Sequence, residues 1–226
     1  MKRKLVILSG AGMSAESGIS TFRDSDGLWE NYDVMEVASI EGWYKNPELM
    51  LRFYNDRRRQ LKHAEPNAGH LIIAALEASF DVNVITQNVD NLHERAGSSS
   101  VIHLHGELTK ACSSQHKDLI CDIQYNDINW GDKAEDASQL RPFIVWFGEA
   151  VPMIEQAARL VHNADIIVVV GTSLQVYPAA GLIDYAQPNA PVYLIDPNDV
   201  RTNRNVTVIR EKAGTGLKKL KEMLLP

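Results

Sequence analysis

The sequence has 226 residues, of which 45% are hydrophobic and 23% are charged, a composition typical of a globular protein with one large domain or a main domain with an insertion. Its 29 acidic and 23 basic side chains leave a formal net charge of −6, which argues against a general binder of nucleic acid or of membrane surfaces. No apolar run reaches the ~20 residues of a membrane span, and two cysteines argue against a disulfide scaffold and for a reducing cytoplasm.

Short apolar runs alternate with helical patterns along the chain. Strands are predicted at 4–8, 82–86, 101–105, 143–147, 165–171, 191–196 and 206–209. Most of these runs are continuously apolar, which is typical of parallel strands covered on both faces. Helices are predicted between them, at 15–20, 47–62, 66–79, 90–95, 152–162, 178–185 and 214–224. This alternation predicts an α/β fold with a Rossmann-like, doubly wound parallel sheet.

Two regions interrupt this alternation. Residues 24–66 carry polar and aromatic side chains with helical spacing and no strand, and residues 109–141 are polar and irregular. We interpret them as insertions that form one small second module. The chain is then a single domain, 1–226, whose large Rossmann-like part comprises 1–27, 67–108 and 142–226 and whose small module comprises 28–66 and 109–141.

The first predicted strand ends in a glycine-rich turn, LSGAGMSAESG. Gly10, Gly12 and Gly18 let backbone N–H groups approach a phosphate, and the N-terminus of the following helix attracts negative charge. The spacing is G-x-G-x5-G rather than G-x-G-x-x-G, so a tight turn without a ligand is the alternative.

Polar side chains follow the strand at 82–86. Gln87, Asn88 and Asp90 stand at the edge where open α/β sheets bind ligands, and their side chains suit an amide and a ribose. The alternative is an Asx turn with Asp90 as helix N-cap, which is favoured when this segment is considered alone.

Two histidines share one face of the strand at 101–105, because strand side chains alternate. His105 stands at the exit of the strand and is a candidate general base. We expect His103 to be a structural histidine.

Two later strands also end in polar side chains. Gly171, Thr172 and Ser173 follow a buried strand and offer amides and hydroxyls to another part of a nucleotide. Asp196 ends the next strand, where its carboxylate suits ribose hydroxyls. Each signal is weak alone, but five such loops at the C-terminal ends of parallel strands predict one crevice for an extended nucleotide.

Six motifs in order resemble the sirtuin family: GAGMSAESGISTFR, TQNVDNLHERAG, HLHGE, VWFGE, GTSLQVYPAA and AGTG. The resemblance runs from Leu8 to about Gly216 and is closest to the bacterial branch grouped with class III. It implies an NAD-dependent protein lysine deacylase that releases nicotinamide and O-acyl-ADP-ribose. Its partners would be NAD and acylated lysine side chains, with no nucleic acid and no membrane, and we expect a cytoplasmic monomer.

The resemblance also implies roles at matching positions. His105 would be the catalytic base, with Asn88 and Asp90 beside it. The cofactor would contact Gly10, Ala11, Gly12, Ser14, Glu16, Phe22, Arg23, Trp29, Gln87, Asn88, Asp90, Gly171, Thr172, Ser173, Asp196, Asn198 and Ala213. The acyl-lysine substrate would contact Tyr54, Arg57, Val145, Phe147, Gly148 and Glu149.

Three consecutive arginines follow a tyrosine in FYNDRRRQL. Helix geometry allows either Arg57 or Arg58 to share the face of Tyr54. The Tyr-x-x-Arg pattern of class III selects Arg57. A phenol and a guanidinium suit a small carboxylate, here the end of a succinyl or malonyl group. We expect Arg59, and Arg58 with it, to lie on a solvated or salt-bridged face.

The sequence departs from the family in its cysteines. Most sirtuins hold zinc with two C-x-x-C pairs, whereas here only Cys112 matches a ligand position and the second pair is absent. We expect that zinc is lost and that apolar packing holds the small module, through Ile120, Ile123, Tyr125, Ile128 and Trp130. The alternative is a substitute site made of Cys112, His116 and Cys121 with His63 or His103.

Two smaller departures concern the cofactor loops. Asp196 replaces the usual asparagine, and Ser20 and Thr21 replace a more widespread Pro-Asp pair, as class III allows. Three other functions are compatible with parts of this pattern. They are a non-catalytic NAD-sensing module, a protein mono-ADP-ribosyltransferase that uses the same crevice, and a metal-dependent hydrolase built on His103 and His105, which lacks the usual ligand spacing.

Overall fold

Eleven strands and seven α-helices are assigned in the computed structural model, which describes residues 1–19, 28–29 and 32–225. The strands are β1 (Lys4–Ser9), β2 (Leu28–Trp29), β3 (Tyr32–Asp33), β4 (Asp81–Thr86), β5 (Val101–His103), β6 (Gly106–Ser113), β7 (Ile120–Asp122), β8 (Leu140–Ile144), β9 (Ile166–Val170), β10 (Val192–Ile195) and β11 (Thr207–Ile209). The helices are α1 (Val34–Val37), α2 (Ile40–Lys45), α3 (Pro47–His63), α4 (Ala68–Leu76), α5 (Leu92–Arg95), α6 (Ile154–His162) and α7 (Ala213–Leu224).

A six-stranded sheet with the order β11-β10-β9-β1-β4-β5 forms the larger part of the molecule. Every neighbouring pair in it is parallel. The chain extends the sheet from β1 to one side through β4 and β5, and then to the other side through β9, β10 and β11. Ligands of open α/β sheets bind where the strand order reverses in this way. The predicted doubly wound α/β fold is therefore confirmed.

Side chains alternate between the two faces of this sheet, and each face is covered by helices. Leu5, Ile7 and Val168 belong to a cluster that includes residues of α4 and α7. Val6 and Val169 belong to a second cluster, with α6 and the 3-10 segment Ala179–Tyr185. All five residues of β9 are buried, which accounts for its uninterrupted apolar sequence.

A second, three-stranded antiparallel sheet has the order β7-β6-β8. Its buried side chains join those of α2 and α3 in a third hydrophobic cluster that includes Trp43, Met50, Tyr54, Leu108, Ile128 and Trp146. The cluster thus contains residues from both regions that interrupt the sequence pattern. The division of the chain into a large part and a small module remains an interpretation.

Several predicted elements were wrong in this part of the chain. Residues 109–141 are not irregular, because they contain most of β6, all of β7 and the start of β8. The strand predicted at 143–147 runs instead over Leu140–Ile144, where Arg141 hides the apolar pattern. Strand pairing between β2 and β3 also falls in 24–66, where none was expected.

The apolar packing predicted for residues 120–130 was partly wrong. Ile128 is buried, and Ile123 and Tyr125 pack against the third cluster. Ile120 and Trp130, however, are 46% and 58% exposed. Ile120 is exposed because β7 is an edge strand and all three of its residues face solvent.

Two short helices also differ from expectation. The segment predicted at 15–20 is a 3-10 turn over Ala15–Ser17, and the one at 178–185 is a 3-10 helix over Ala179–Tyr185.

Within the described residues, no helix combines the length and the apolar character that crossing a membrane requires.

Candidate active site

The turn after β1 and the loop after β4 are joined by one buried hydrogen-bond network. Ser14 Oγ donates to Asp90 Oδ2 at 2.8 Å and accepts from Asn88 Nδ2 at 3.0 Å. Asp90 Oδ1 accepts from the backbone N–H of Leu92 at 3.1 Å. Asp90 therefore does form an Asx turn, and it also faces the glycine-rich turn.

Burial and hydrogen bonding have opposite effects on the ionisation of Asp90 in this network. Asp90 is 5% exposed, and burial raises the pKa of its carboxyl group. The hydrogen bonds from Ser14 and Leu92 and the charge of His103 act in the opposite direction. Asn88 is also buried, and its backbone N–H donates to Thr86 Oγ1 at 3.0 Å. Both side chains are thus held in place without a ligand.

His105 lies next to this loop, just after β5. Its Nδ1 is 3.1 Å from the carbonyl oxygen of Gln87, which only accepts, so Nδ1 carries the hydrogen. Burial lowers the pKa of His105, which favours the neutral ring. In the part of the chain that the structure describes, no hydrogen bond reaches Nε2. The ring is therefore an acceptor at Nε2, as a general base must be.

His103 has different surroundings from His105. Its Nδ1 is 3.0 Å from the carbonyl oxygen of Asn88, and its Nε2 is 2.7 Å from Glu94 Oε1. Although burial disfavours the charged ring, the hydrogen bond to Glu94 raises the pKa of His103 above its ordinary value. His103 is thus an ion-paired histidine tied to the loop that carries Asn88 and Asp90.

The glycines of the first turn serve close packing between two loops. The N–H groups of Gly10 and Gly12 donate to the carbonyls of Val170 and Gly171, at 3.1 and 2.9 Å. A Cβ atom on Gly12 would lie 2.8 Å from Gly171 Cα, and Gly171 itself has φ +63°. These two amides were expected to approach a phosphate, but both are used within the protein.

The remaining predicted cofactor residues lie around the same edge of the sheet. Gln87 Nε2 donates to Thr172 Oγ1 at 3.1 Å. Asp196 at the end of β10 is 2% exposed and accepts from the backbone N–H of Asn198 at 2.9 Å. Glu16 Oε2 accepts from the N–H of Gly214 at 2.8 Å, in the first turn of α7 beside Ala213.

Two further predicted cofactor residues, Ala11 and Ser173, lie in the loops at this edge, and others lie outside the described residues. Ala11 is half-buried in the 3-10 turn after β1, and Ser173 is half-buried after Thr172. Phe22 and Arg23 lie outside the described residues, as does the side chain of Trp29.

The predicted substrate residues lie on α3 and in the segment that follows β8. Trp146 Nε1 donates to the phenol oxygen of Tyr54 at 2.9 Å. Tyr54 is 1% exposed, and burial raises the pKa of its phenol far above the ordinary value. The backbone N–H of Val145 donates to the carbonyl of His105 at 2.9 Å, which joins this segment to the candidate base. Phe147, by contrast, is 40% exposed.

Glu149 supports this segment through a buried ion pair. Its carboxylate accepts from Arg141 Nη1 and Nη2 at 2.9 and 3.1 Å and from the N–H of Trp146 at 2.9 Å, and it also pairs with Lys117. Despite burial, these contacts lower the pKa of Glu149. The guanidinium of Arg141 also stacks 3.5 Å from the ring centroid of Trp146. Sequence reasoning missed Arg141, since nothing marks it except the break in an apolar run.

The three consecutive arginines have three different surroundings. Arg57 is 4% exposed and lines a cavity of about 40 Å³ with Asp90. Arg59 is exposed and pairs with Asp56 and Asp127, as expected.

The expectation for Arg58 was wrong, because this residue is fully buried. Its Nε donates to the carbonyl of Leu108 at 2.6 Å and its Nη1 to Asn55 Oδ1 at 2.7 Å. Burial lowers the pKa of the Arg58 guanidinium to about 10. Arg58 therefore connects α3 to β6, and this role has no signal in the sequence.

The residues present do not fit the zinc site of the family. Cys112 is opposite Ile120 and Cys121 is opposite Ala111 in the β6–β7 pairing, so the two thiols lie on opposite faces. Cys112 is buried, which raises the pKa of its thiol to about 11, whereas Cys121 is exposed. Among the described residues, no three His, Cys, Asp or Glu side chains are arranged to hold a metal ion.

Comparison with known proteins agrees with this geometry. A model of the Sir2 family matches residues 10–178. An NAD-dependent protein deacylase of Bacteroides thetaiotaomicron is 57% identical over 231 residues, covering 99% of both chains. One from Helicobacter pylori is 54% identical over 225 residues, covering 99% of this chain and 98% of the relative. The crystal structure of a Sir2 homologue–NAD complex has a TM-score of 0.88 at 38% identity, covering 99% of this chain and 90% of the other.

Proposed function

The chain belongs to the Sir2, or sirtuin, family and is an NAD-dependent protein deacylase, and we propose that it removes succinyl and malonyl groups as well as acetyl groups from lysine side chains. Because it is an enzyme, the non-catalytic NAD-sensing alternative is set aside. The substrates we propose are acylated lysines of cytoplasmic proteins, and the working form we propose is a monomer. The negative net charge of −6 supports the view that nucleic acid is not a partner.

The polar groups of the crevice fit NAD by their chemistry. We propose that Asp196 and Ser173 hold the adenosine half, because a buried carboxylate and a hydroxyl suit ribose. Ser14, Asn88 and Asp90 would hold the nicotinamide half. When bound, NAD supplies the ADP-ribosyl group that accepts the acyl group, and nicotinamide is released. The close packing of Gly12 against Gly171 fixes the two loops between these halves.

His105 is proposed as the catalytic base, acting through Nε2. Its Nδ1–H is directed to the carbonyl of Gln87, which fixes the tautomer and the orientation of the ring. Its lowered pKa keeps the ring neutral at physiological pH, so that Nε2 is ready to take a proton from a sugar hydroxyl. The bond from Val145 N–H to the carbonyl of His105 keeps the base next to the proposed acyl-lysine channel.

A buried tyrosine and a buried arginine, one turn apart on α3, carry the proposal of an acidic acyl group. The phenol oxygen of Tyr54 already accepts a hydrogen bond from Trp146, so its own hydrogen is available as a donor. The raised pKa keeps that hydrogen in place at all physiological pH values. Arg57 lines the same cavity as Asp90, so its charge lies close to the catalytic loop. A guanidinium and a phenol hydroxyl together suit a carboxylate.

The proposal is tested by offering acetyl-, succinyl- and malonyl-lysine peptides to Arg57→Met and to the wild type. Loss of charged hydrogen bonds should lower kcat/KM for succinyl and malonyl peptides by about 100-fold and for acetyl peptide by about 3-fold or less. Tyr54→Phe, which removes only the hydroxyl, should lower desuccinylation by about 10-fold.

Arg59→Met is the matched control, because it makes the same change at an exposed neighbour of the same helix. It should leave all three activities unchanged. Equal losses on acetyl and succinyl peptides in Arg57→Met would show that Arg57 does not select the acyl group.

A further inference from the structure

Two histidines, two residues apart, bind two successive carbonyl groups of the loop after β4. His103 Nδ1 lies 3.0 Å from the carbonyl of Asn88, and His105 Nδ1 lies 3.1 Å from the carbonyl of Gln87. The imidazoles thus bind the carbonyls of Gln87 and Asn88, and the backbone N–H of Leu108 binds the carbonyl of Val89, the next in the loop, at 2.8 Å. The two rings differ at the other nitrogen, because only His103 has a carboxylate there.

Glu94 makes His103 a cation. The Nε2–Oε1 distance is 2.7 Å, and the imidazole of His103 is only 6% exposed. Although burial opposes it, the hydrogen bond from His103 lowers the pKa of Glu94, so its carboxylate is ionised. A carbonyl and an ionised carboxylate only accept hydrogen bonds, so both can be satisfied only when both ring nitrogens of His103 carry hydrogen.

The other charged and titratable groups near His103 come from three elements. His93 lies on α5 beside Glu94, and Asp90 lies in the loop. Glu107 on β6 also favours the cation, and it is itself paired with Lys110 at 2.6 Å. Among these groups, Glu94 is the carboxylate that is hydrogen-bonded to the ring.

We propose that His103, held as a cation by Glu94, is a positioning residue that fixes the loop carrying Asn88 and Asp90, and that loss of its proton sets the alkaline limit of deacylation. The cation acts in two ways. It holds the carbonyl of Asn88, and its charge favours the ionised form of the buried Asp90. When the ring loses one hydrogen, one of its two hydrogen bonds is lost and the loop is held less tightly.

The two histidines then define the two sides of the pH profile. His105 must be neutral to accept a proton, and burial lowers its pKa, so activity is lost on the acid side as pH falls through that value. His103 must be charged, and Glu94 raises its pKa, so activity is lost on the alkaline side as pH rises through that higher value. The enzyme is therefore active in the pH range between the lowered pKa of His105 and the raised pKa of His103.

The test is the pH profile of kcat and kcat/KM for Glu94→Gln with an acetyl-lysine peptide and saturating NAD. The amide oxygen of glutamine still accepts from Nε2, so the packing is preserved, but the charge that raises the pKa of His103 is gone. The alkaline limb should move to lower pH by about 1 to 2 units, while the plateau stays within about 3-fold. An alkaline limb that stays in place contradicts the proposal.

Glu107→Gln is the control, because it removes a charge that also faces His103 but is paired with Lys110. Its alkaline limb should move by less than half as much.

His103→Asn adds a second readout. Because an amide donor does not titrate, the alkaline limb assigned to His103 should vanish. A lower plateau with an unchanged limb would mean that His103 is only structural.

A direct titration keeps the proposal testable even if a variant fails to fold. The ring signals of His103 in wild-type protein, assigned by NMR through bonded connectivities, should titrate at the pH of the alkaline limb. Titration at or below the ordinary histidine value would overturn the proposal.

The inference rests on the deacylase reaction and not on the acyl preference. An unmoved limb in an active enzyme therefore contradicts the role of His103 alone, whereas equal losses in Arg57→Met contradict only the acidic acyl proposal.

Discussion

Polar and charged side chains are buried both in the crevice of the parallel sheet and around the small antiparallel sheet, but they are held differently. In the crevice, His105 is bound through Nδ1 to one carbonyl, and the described residues leave its Nε2 without a hydrogen bond. Near the small sheet, Arg58 and Arg141 donate to backbone carbonyls and to side-chain oxygens at the same time. The candidate base thus keeps an acceptor atom for a substrate hydroxyl, whereas each of the two guanidinium groups is tied to the fold through at least two of its nitrogens.

Removal of Glu149 should strongly destabilise the fold around the small sheet. Glu149→Ala leaves the buried guanidinium of Arg141 without its carboxylate, and breaking one side of a buried ion pair costs about 3–5 kcal/mol. We expect the free energy of unfolding, measured in urea, to fall by that amount. Glu155→Ala is the matched control, since Glu155 and its partner Arg159 are largely exposed. If both variants lose equally little, the pair of Arg141 and Glu149 does not support the small sheet.

Arg58 on α3 should contribute less to stability than the ion pair of Arg141 and Glu149. Arg58→Met removes the donor to the buried carbonyl of Leu108 and one of the two donors to Asn55 Oδ1, which also accepts from the backbone N–H of Ile128. We expect the free energy of unfolding to fall by about 2–3 kcal/mol, with acetyl and succinyl peptides affected alike. The measurement is urea unfolding together with the activity ratio on the two peptides.

Two neighbours of Arg58 serve as references for this measurement. Arg59→Met should leave stability nearly unchanged, because exposed ion pairs contribute little. Arg57→Met should change the ratio of the two activities, whereas Arg58→Met should not. A change of that ratio in Arg58→Met would place Arg58 in the substrate channel rather than in the fold.

The sequence predicted the crevice far better than the small sheet, for physical reasons. Strands such as β1 and β9 are buried on both faces, so their apolar runs show in the sequence. The loops at their ends use glycine, asparagine and histidine, which are rare enough together to be recognised. By contrast, β8 contains an inward-facing arginine and a proline, and it has no apolar or alternating pattern.

Contacts between distant residues explain the rest of what the sequence did not reveal. Arg58 bonds to a residue 50 positions away, and its neighbours in sequence have the same charge. His103 was expected to be structural, but no pattern in the sequence pairs it with Glu94, nine residues earlier. Periodicity places a side chain on a face, but it does not say which atom that face will meet.

The smallest effect expected is that of a metal chelator. Most sirtuins hold a zinc ion with four thiolates. Here the two cysteines lie on opposite faces of β6–β7, and Glu149 pairs with Arg141 and Lys117 beside them. Metal binding is coupled to folding where zinc is structural. A chelator therefore destabilises a protein whose fold depends on zinc. We expect neither the melting temperature nor deacetylation to change in excess chelator, and elemental analysis to find far less than one zinc per chain. One zinc per chain, or a lower melting temperature in chelator, would mean that a metal rather than Glu149 connects these strands.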